Sequence, residues 1–276
     1  MSLDLEARDD VALLLGTIAR RAGAAILDAF ERGLATRGKA DGSLCSDADL
    51  AAEECILAAL DRAFPGLPVI AEERTAAGGA TDVADVFFLV DPLDGTSDFI
   101  AGTGEYTVNI AAVSGGRPIA GAIYSPQMEH LWIAGRRAMT AAARPGDAAA
   151  GLGPWRDLAV RPAPREGLVA LASRRHGDAA TEAFLARLPR HERRAASSSL
   201  KFCLIAAGEA DVYPRFGTTM EWDTAAGEAI LTAAGGIVTD PSGAPLVYGR
   251  TDSRFANGPF IAWGDKTFAA RMTQAA

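Results

Sequence analysis

Residues 86–99 read VFFLVDPLDGTSDF, an apolar run that ends on two aspartates three positions apart. Val86 to Val90, rich in aromatic and β-branched side chains, predicts a buried strand. Pro92 and the Asp94-Gly95 pair predict a sharp turn, so Asp91 and Asp94 are expected where the strand stops. The chain must therefore build a core sheet that ends in carboxylates. Two hard oxygen ligands at such an edge suit a divalent cation such as Mg²⁺, which takes few carboxylates and leaves room for phosphate and water. Gly95 and Thr96 are expected to open a helix whose free N–H groups can cradle a phosphate. Asp-Pro and Asp-Gly are also ordinary turn dipeptides. The segment gains weight from acidic residues elsewhere in the chain.

A chain of 276 residues can bury a large core as one domain or as two tightly joined ones. Its net charge of −8 argues against a nucleic acid polymer as partner, which needs a basic face. A small anionic substrate stays open, because a metal ion reverses the local field. Cys45, Cys55 and Cys203 show no C-x-x-C spacing and cannot all pair, so reduced thiols are expected. The acidic start, MSLDLEARDD, lacks a signal pattern, and no run reaches the length of a membrane span. A cytoplasmic protein is the expectation.

One long helix is predicted from about Asp4 to Gly33, with Val11, Leu14, Leu15, Ile18, Ala22, Ile26 and Phe30 on one stripe. A second starts near Ser46, where Ser46 and Asp49 have capping-box spacing, and stops at Pro65-Gly66. Leu67 to Ala71 predicts a short strand leading into Glu72-Glu73, followed by a loose loop from Thr75 to Thr81. Strands follow at Tyr106 to Val113, Ile119 to Tyr124 and Leu131 to Ala134, with a hairpin at Ser114-Gly115-Gly116. The Ala/Gly/Pro-rich piece from Ala141 to Pro154 is the best boundary between subdomains 1–145 and 146–276, although it also reads as a surface hairpin on one domain. Beyond it come strands at Leu168–Ala172, Asp211–Phe216 and Gly236–Thr239, and helices at Ala179–Leu188, Ser198–Ala207 and Asp223–Ala234. This is a mixed α/β chain without repeats.

Four segments thus end in carboxylates: Asp47 with Asp49, Glu72 with Glu73, Asp91 with Asp94, and Asp223 in WDTAAGEAIL. Singly, acidic residues at helix starts only complement the macrodipole. Brought together, they would repel strongly unless cations neutralise them. His130, His176 and His191 lack zinc-ligand spacing, so oxygen ligands point to Mg²⁺ or Mn²⁺.

DPLDGT together with AEE and WDTAAG resembles the inositol monophosphatase superfamily of Mg²⁺-dependent, lithium-sensitive phosphatases. The resemblance runs over nearly the whole chain and keeps the family's motif order. It implies a layered αβαβα sandwich of the inositol monophosphatase and fructose bisphosphatase type. It also implies that Glu72, Asp91, the Leu93 carbonyl, Asp94 and Asp223 hold two or three Mg²⁺ ions, with Asp49 near Thr96 helping to hold a further metal. Glu72 is preferred to Glu73 because the first Glu of the family's pair is the ligand. Thr96 would orient the attacking water, with Glu72 and Asp49 as proton acceptors, and the N–H groups of Gly95, Thr96 and Ser97 would hold phosphate oxygens.

SRRH at 173–176, the segment from Ser198 to Phe216, and GEYTVNIAAV at 104–113 resemble the 3′(2′),5′-bisphosphate nucleotidase branch, which serves sulfate assimilation. That branch removes the 3′-phosphate of adenosine 3′,5′-bisphosphate, giving AMP and phosphate. By this resemblance Ser173, His176, Ser198 and Lys201 contact the nucleotide, and Arg215 the second phosphate. A bisphosphate needs cations beyond the metals, which Lys201 and Arg215 could supply. Lys201 and Arg215 also read as a solvated helix residue and a structural ion-pair partner. Two other functions stay open: the same chemistry on inositol phosphate or another polyol or sugar phosphate, and a non-catalytic binding or regulatory relative. Monomer and homodimer are equally compatible with the sequence.

Overall fold

The structure is a computed structural model that describes residues 7–38, 44–79, 82–146, 151–173 and 177–274. Its first half runs α1 (Arg8–Glu31), a hairpin of β1 (Thr36–Gly38) and β2 (Leu44–Ser46), α2 (Asp47–Ala63), β3 (Val69–Ala71) and α3 (Glu72–Ala76). β4 (Val86–Asp94), α4 (Thr96–Ile100), β5 (Thr107–Ser114), β6 (Arg117–Ser125), β7 (His130–Ala134), β8 (Ala138–Ala142) and β9 (Arg156–Asp157) complete it. The second half runs β10 (Leu168–Ser173), α5 (Ala179–Arg187), β11 (His191–Ala196), α6 (Leu200–Ala206), β12 (Val212–Arg215) and β13 (Thr219–Met220). It ends with α7 (Glu221–Ala233), β14 (Ile237–Thr239), β15 (Ala256–Asn257), β16 (Phe260–Trp263) and α8 (Lys266–Gln274).

Strand alternation builds three cores. On β4 and β5, Phe88, Val90, Val108, Ile110 and Ala112 face one way, into a core shared with α1 and α2. Phe87, Leu89, Ala111 and Val113 face the other way, into a core shared with α6 and α7. A strand covered on both faces needs apolar residues at successive positions, which explains the unbroken run before Asp91. The same rule acts in the second sheet: Tyr213, Phe260 and Ala262 point toward α6 and α7, and Val212, Ile261 and Trp263 toward α5 and α8. The layers are therefore helices, sheet, helices, sheet, helices, the expected αβαβα sandwich.

The first sheet has the order β3-β4-β5-β6-β7-β8-β9 and is antiparallel except for the parallel β3–β4 pair. The second has the order β11-β10-β12-β16-β14, parallel among its first three strands and antiparallel beyond. Gly121 on β6 lets α7 approach the first sheet: a Cβ there would stand 3.0 Å from the Ala226 backbone. That contact fixes the middle layer against the first sheet.

Several boundaries differ from expectation. β4 does not stop at Asp91 but continues to Asp94, with a register shift against β5 between these two aspartates. The bulge, and not the end of the strand, turns the two carboxylates away from regular alternation. Glu72 opens a short helix that takes in Thr75 and Ala76, where a loop was expected. Asp223 is the third residue of α7, one turn position inside its start. No element was anticipated after Thr239, yet β16 lies inside the second sheet and α8 covers it. β9 pairs with β8, so the first sheet reaches beyond residue 146, and Ala143 bridges Leu152 across the Ala/Gly/Pro-rich piece. Among the described residues no helix is long and apolar enough to cross a membrane, and Cys45, Cys55 and Cys203 are free thiols.

Candidate active site

Local rules place the first carboxylates. Ser46 caps α2, and its backbone N and Oγ donate to Asp49 Oδ2 at 2.7 and 2.6 Å, the reciprocal capping box read from the sequence. Asp49 Oδ1 is thereby left facing Thr96, whose hydroxyl lies 3.0 Å away and 3.1 Å from the Leu93 carbonyl oxygen. Gly95, with φ of 96°, supplies the left-handed step between β4 and α4, and a Cβ there would stand 2.5 Å from Ser198 Oγ. Only glycine fits that turn.

Residues from both halves line one open cleft of about 260 Å³. Glu72, Asp91, Leu93, Asp94, Gly95, Thr96, Ser97, Ser173, Ser198, Lys201, Arg215 and Asp223 all contribute to it. Asp49 touches it through Thr96. Glu73 does not line it: its side chain is buried, and its backbone N donates to Glu53 Oε2 at 2.8 Å. Asp47 stays at the surface, 3.3 Å from Arg37. His176 lies outside the described residues.

Three aspartates share one arrangement. Leu93 N donates to Asp91 Oδ1 at 3.0 Å, Met220 N to Asp223 Oδ2 at 2.8 Å, and Ser199 N to Asp94 Oδ2 at 2.7 Å. Among the described residues no hydrogen bond engages the second oxygen of any of the three. Burial, then the charges of Glu72, Asp94, Asp223 and Asp49, push the Asp91 carboxyl well above its usual range. Burial followed by Asp94 and Glu72 does the same to Asp223. Asp94 rises too, through burial, opposed chiefly by Lys201. Unpaired negative charge held in low dielectric invites a cation. The donors are all oxygens, without His or Cys, and so fit Mg²⁺. Among the described residues no three acidic, His or Cys side chains already form a closed metal-holding group. Mg²⁺ does not require one, since it usually binds one or two carboxylates together with water and substrate phosphate.

The cations are held differently. Lys201 is buried on α6, and its Nζ donates to the carbonyls of Ser198 at 2.7 Å and Ala196 at 3.2 Å, 5.0 Å from the centre of the Tyr213 ring. Burial lowers its ammonium to about 8, against the pull of Asp94. The reading of Lys201 as a solvated helix residue is therefore corrected. Two of its three protons tie down its own chain, leaving one for a ligand. Ser198 Oγ donates to the Asp94 carbonyl at 2.9 Å, so its hydroxyl proton is already engaged. Arg215 reaches the Thr218 carbonyl at 3.4 Å on the cleft's rim.

Three buried polar residues escaped the sequence reading. Asn109 donates to Asp94 Oδ2 at 3.3 Å, Ser199 Oγ donates to Asn109 Oδ1 at 2.7 Å, and Thr107 Oγ1 lies 2.8 Å from Ser199 Oγ. A signal existed: Thr107 and Asn109 are alternate polar positions in a strand that is otherwise apolar up to its last residue, Ser114.

Known proteins match this chain over most of its length. The 3′(2′),5′-bisphosphate nucleotidase CysQ of Escherichia coli K12 is 40% identical over 246 residues, covering 88% of this chain and 95% of the relative. The crystal structure of CysQ from Bacteroides thetaiotaomicron superposes with a TM-score of 0.77 at 34% identity, covering 95% of this chain and all of that one. An IMPase from Thermotoga maritima shares the fold, with a TM-score of 0.74 at 22% identity and 97% coverage of both chains. Residues 8–275 match the Inositol monophosphatase family. With the motifs, the layered fold and this match in agreement, the chain belongs to the inositol monophosphatase family.

Proposed function

We propose that the chain is a Mg²⁺-dependent phosphatase that hydrolyses the 3′-phosphate of adenosine 3′,5′-bisphosphate to AMP and phosphate. One observation carries this reading: a single cleft lined by five carboxylates, Glu72, Asp91, Asp94, Asp98 and Asp223, also holds two cations, Lys201 and Arg215. Carboxylates alone serve any phosphate monoester. A second anionic group on the substrate gives the cations a purpose. The 40% identity to a relative named 3′(2′),5′-bisphosphate nucleotidase supports the same substrate class.

In this reading Glu72, Asp91, Asp94, Asp223 and the Leu93 carbonyl hold Mg²⁺. When bound, the cation makes water more acidic and offsets the charge on the phosphate. The chain's own residues do the rest. Thr96 donates its hydroxyl hydrogen bond to Asp49 Oδ1 or the Leu93 carbonyl, keeping its proton, so its oxygen is free to accept a hydrogen bond from the attacking water. That bond aims the water's lone pair at phosphorus. Glu72 and Asp49 take up the released proton, Asp49 through Thr96. The first N–H groups of α4, at Thr96 and Ser97, have no partner within the helix and join Gly95 N–H in holding phosphate oxygens. The third proton of Lys201, with Ser173, Ser198 and Arg215 lining the same cleft, meets the nucleotide and its 5′-phosphate, and the motif resemblance alone assigns His176 to the nucleotide. Residues 1–145 then carry the metal motifs, and 146–276 complete the metal and substrate site.

Phosphate release from adenosine 3′,5′-bisphosphate, inositol 1-phosphate and fructose 1,6-bisphosphate, with Mg²⁺ and with chelator, tests the proposal. The adenosine compound should be turned over with the highest kcat/KM, and chelator should abolish release. A preference for inositol 1-phosphate would replace this reading with a polyol phosphatase.

A further inference from the structure

Thr107, Asn109 and Ser199 are each at most 2% exposed, yet all three carry polar side chains. Asn109 lies on β5, on the strand face that two and four residues later contributes Ala111 and Val113 to the core around α6 and α7. A leucine would fill such a position without a polar group to satisfy. Burying an amide costs free energy unless its partners are all present. Here they are, and they run in one direction. Ser199 Oγ donates its single proton to Asn109 Oδ1 at 2.7 Å. Thr107, 2.8 Å from Ser199 Oγ, must then be the donor of that pair. With its oxygen so fixed, the Asn109 amide turns Nδ2 to Asp94 Oδ2 at 3.3 Å. Ser199 N adds a second donor to the same oxygen at 2.7 Å.

Two donors from different halves of the chain thus converge on one oxygen of Asp94, and Oδ1 keeps no partner among the described residues. The register shift in β4 makes this necessary. Asn109 pairs with Asp91 and Thr107 with Asp94, so the bulge frees the Asp94 side chain from the pattern that would otherwise orient it.

We propose that Asn109 and Ser199 are positioning residues that fix which oxygen of Asp94 faces the cleft, Thr107 holding the relay in its one direction. The proposal rests on the reading of Asp94 as a Mg²⁺ ligand. Its effect is on metal affinity: without the relay the carboxylate rotates, and the cation must pay to order it.

Full-length wild type, Asn109→Leu and Ser199→Ala are compared by calorimetric Mg²⁺ titration, by melting with chelator or Mg²⁺, and by kcat and KM at saturating Mg²⁺. Asn109→Leu should raise the Mg²⁺ Kd about 10- to 100-fold, the range for lost supports of metal ligands. Ser199→Ala keeps its backbone donor and should raise it only about 2- to 10-fold. KM for adenosine 3′,5′-bisphosphate at saturating Mg²⁺ should hold in both. A merely structural role would lower the metal-free melting temperature and leave the Mg²⁺ Kd at its wild-type value, and that result overturns the proposal. If Asn109→Leu does not fold, an unchanged Kd in Ser199→Ala overturns it alone. A wild type with no Mg²⁺ response in calorimetry or melting overturns the metal reading itself, and the proposal with it. A wild-type response that both variants reproduce overturns only the positioning roles.

Discussion

Asp91, Asp94 and Asp223 each keep one carboxylate oxygen without a hydrogen-bond partner among the described residues, whereas Lys201 turns two of its three ammonium protons toward its own chain. Both sets line the same cleft. The aspartates sit among like charges that burial intensifies, so they are poised for a cation and costly without one. Lys201 is buried beside acidic neighbours and already anchored, so it lends a charge to the cleft while keeping the Ala196–Ser198 segment in place. The contrast teaches that one pocket can join carboxylates crowded by like charge to an ammonium already held by its own chain. Metal removal should therefore disturb the first far more than the second.

The largest effect is expected where an oxygen is taken from the aspartates. Asp94→Asn should reduce turnover about 10³-fold or more and abolish the rise in melting temperature between chelator and millimolar Mg²⁺. A variant that keeps the full Mg²⁺ shift would erase the distinction between the two sets. Thr96→Val comes next, removing the hydroxyl at nearly constant volume. It should lower kcat about 10²- to 10³-fold through the lost orientation and proton path, with KM little changed. Equal changes in kcat and KM would assign Thr96 to substrate binding instead.

Lys201→Met tests the other side. Losing a charged hydrogen bond costs about 1.5–3 kcal/mol, so kcat/KM for adenosine 3′,5′-bisphosphate should fall roughly 10- to 100-fold relative to a small monophosphate. Because Nζ also holds Ala196 and Ser198, the variant should melt lower in chelator and in Mg²⁺ alike. An unchanged substrate ratio would make Lys201 an anchor only.

The smallest effect probes burial without the crowd of carboxylates. Glu228 on α7 is raised from 4.5 to about 7 by burial, against Arg117 at 2.7 Å and the Tyr248 hydroxyl at 2.8 Å. Its folded form holds a proton that the unfolded chain releases near 4.5. The resulting stability is complete below that pH and lost as pH rises through about 7. Glu228→Gln stays neutral, so melting curves from pH 4 to 8 should show the variant gaining on wild type by roughly 1–3 kcal/mol. A constant difference across that range would mean that the Arg117 ion pair, and not burial, governs this carboxylate.

Sequence reading named most of the residues that line the cleft because their local conformations follow from short stretches of chain. The capping box at Ser46 and Asp49, the left-handed Gly95, and the apolar run into Asp91 each follow from a few consecutive residues. Their motifs resembled a family whose fold the chain adopts. What escaped reading was long-range. β16 is a four-residue strand that acquires meaning only between β12 and β14, and charged β11 is a strand because β10 lies beside it. Nothing near Asp94 in sequence announces that Asn109 and Ser199 would meet on its Oδ2.

By itself, then, the sequence determined which residues carry charge and where the Ser46 capping box, the Gly95 turn and the apolar run into Asp91 fall, since capping, turn chemistry and alternation act over a few positions. The tertiary structure alone decided which oxygen of each aspartate stays open, that Lys201 anchors a loop, and that Glu72, and not Glu73, reaches the cleft. Those outcomes depend on which donors from distant segments arrive at a given atom. Chain closure brings them there, and no local spacing encodes it.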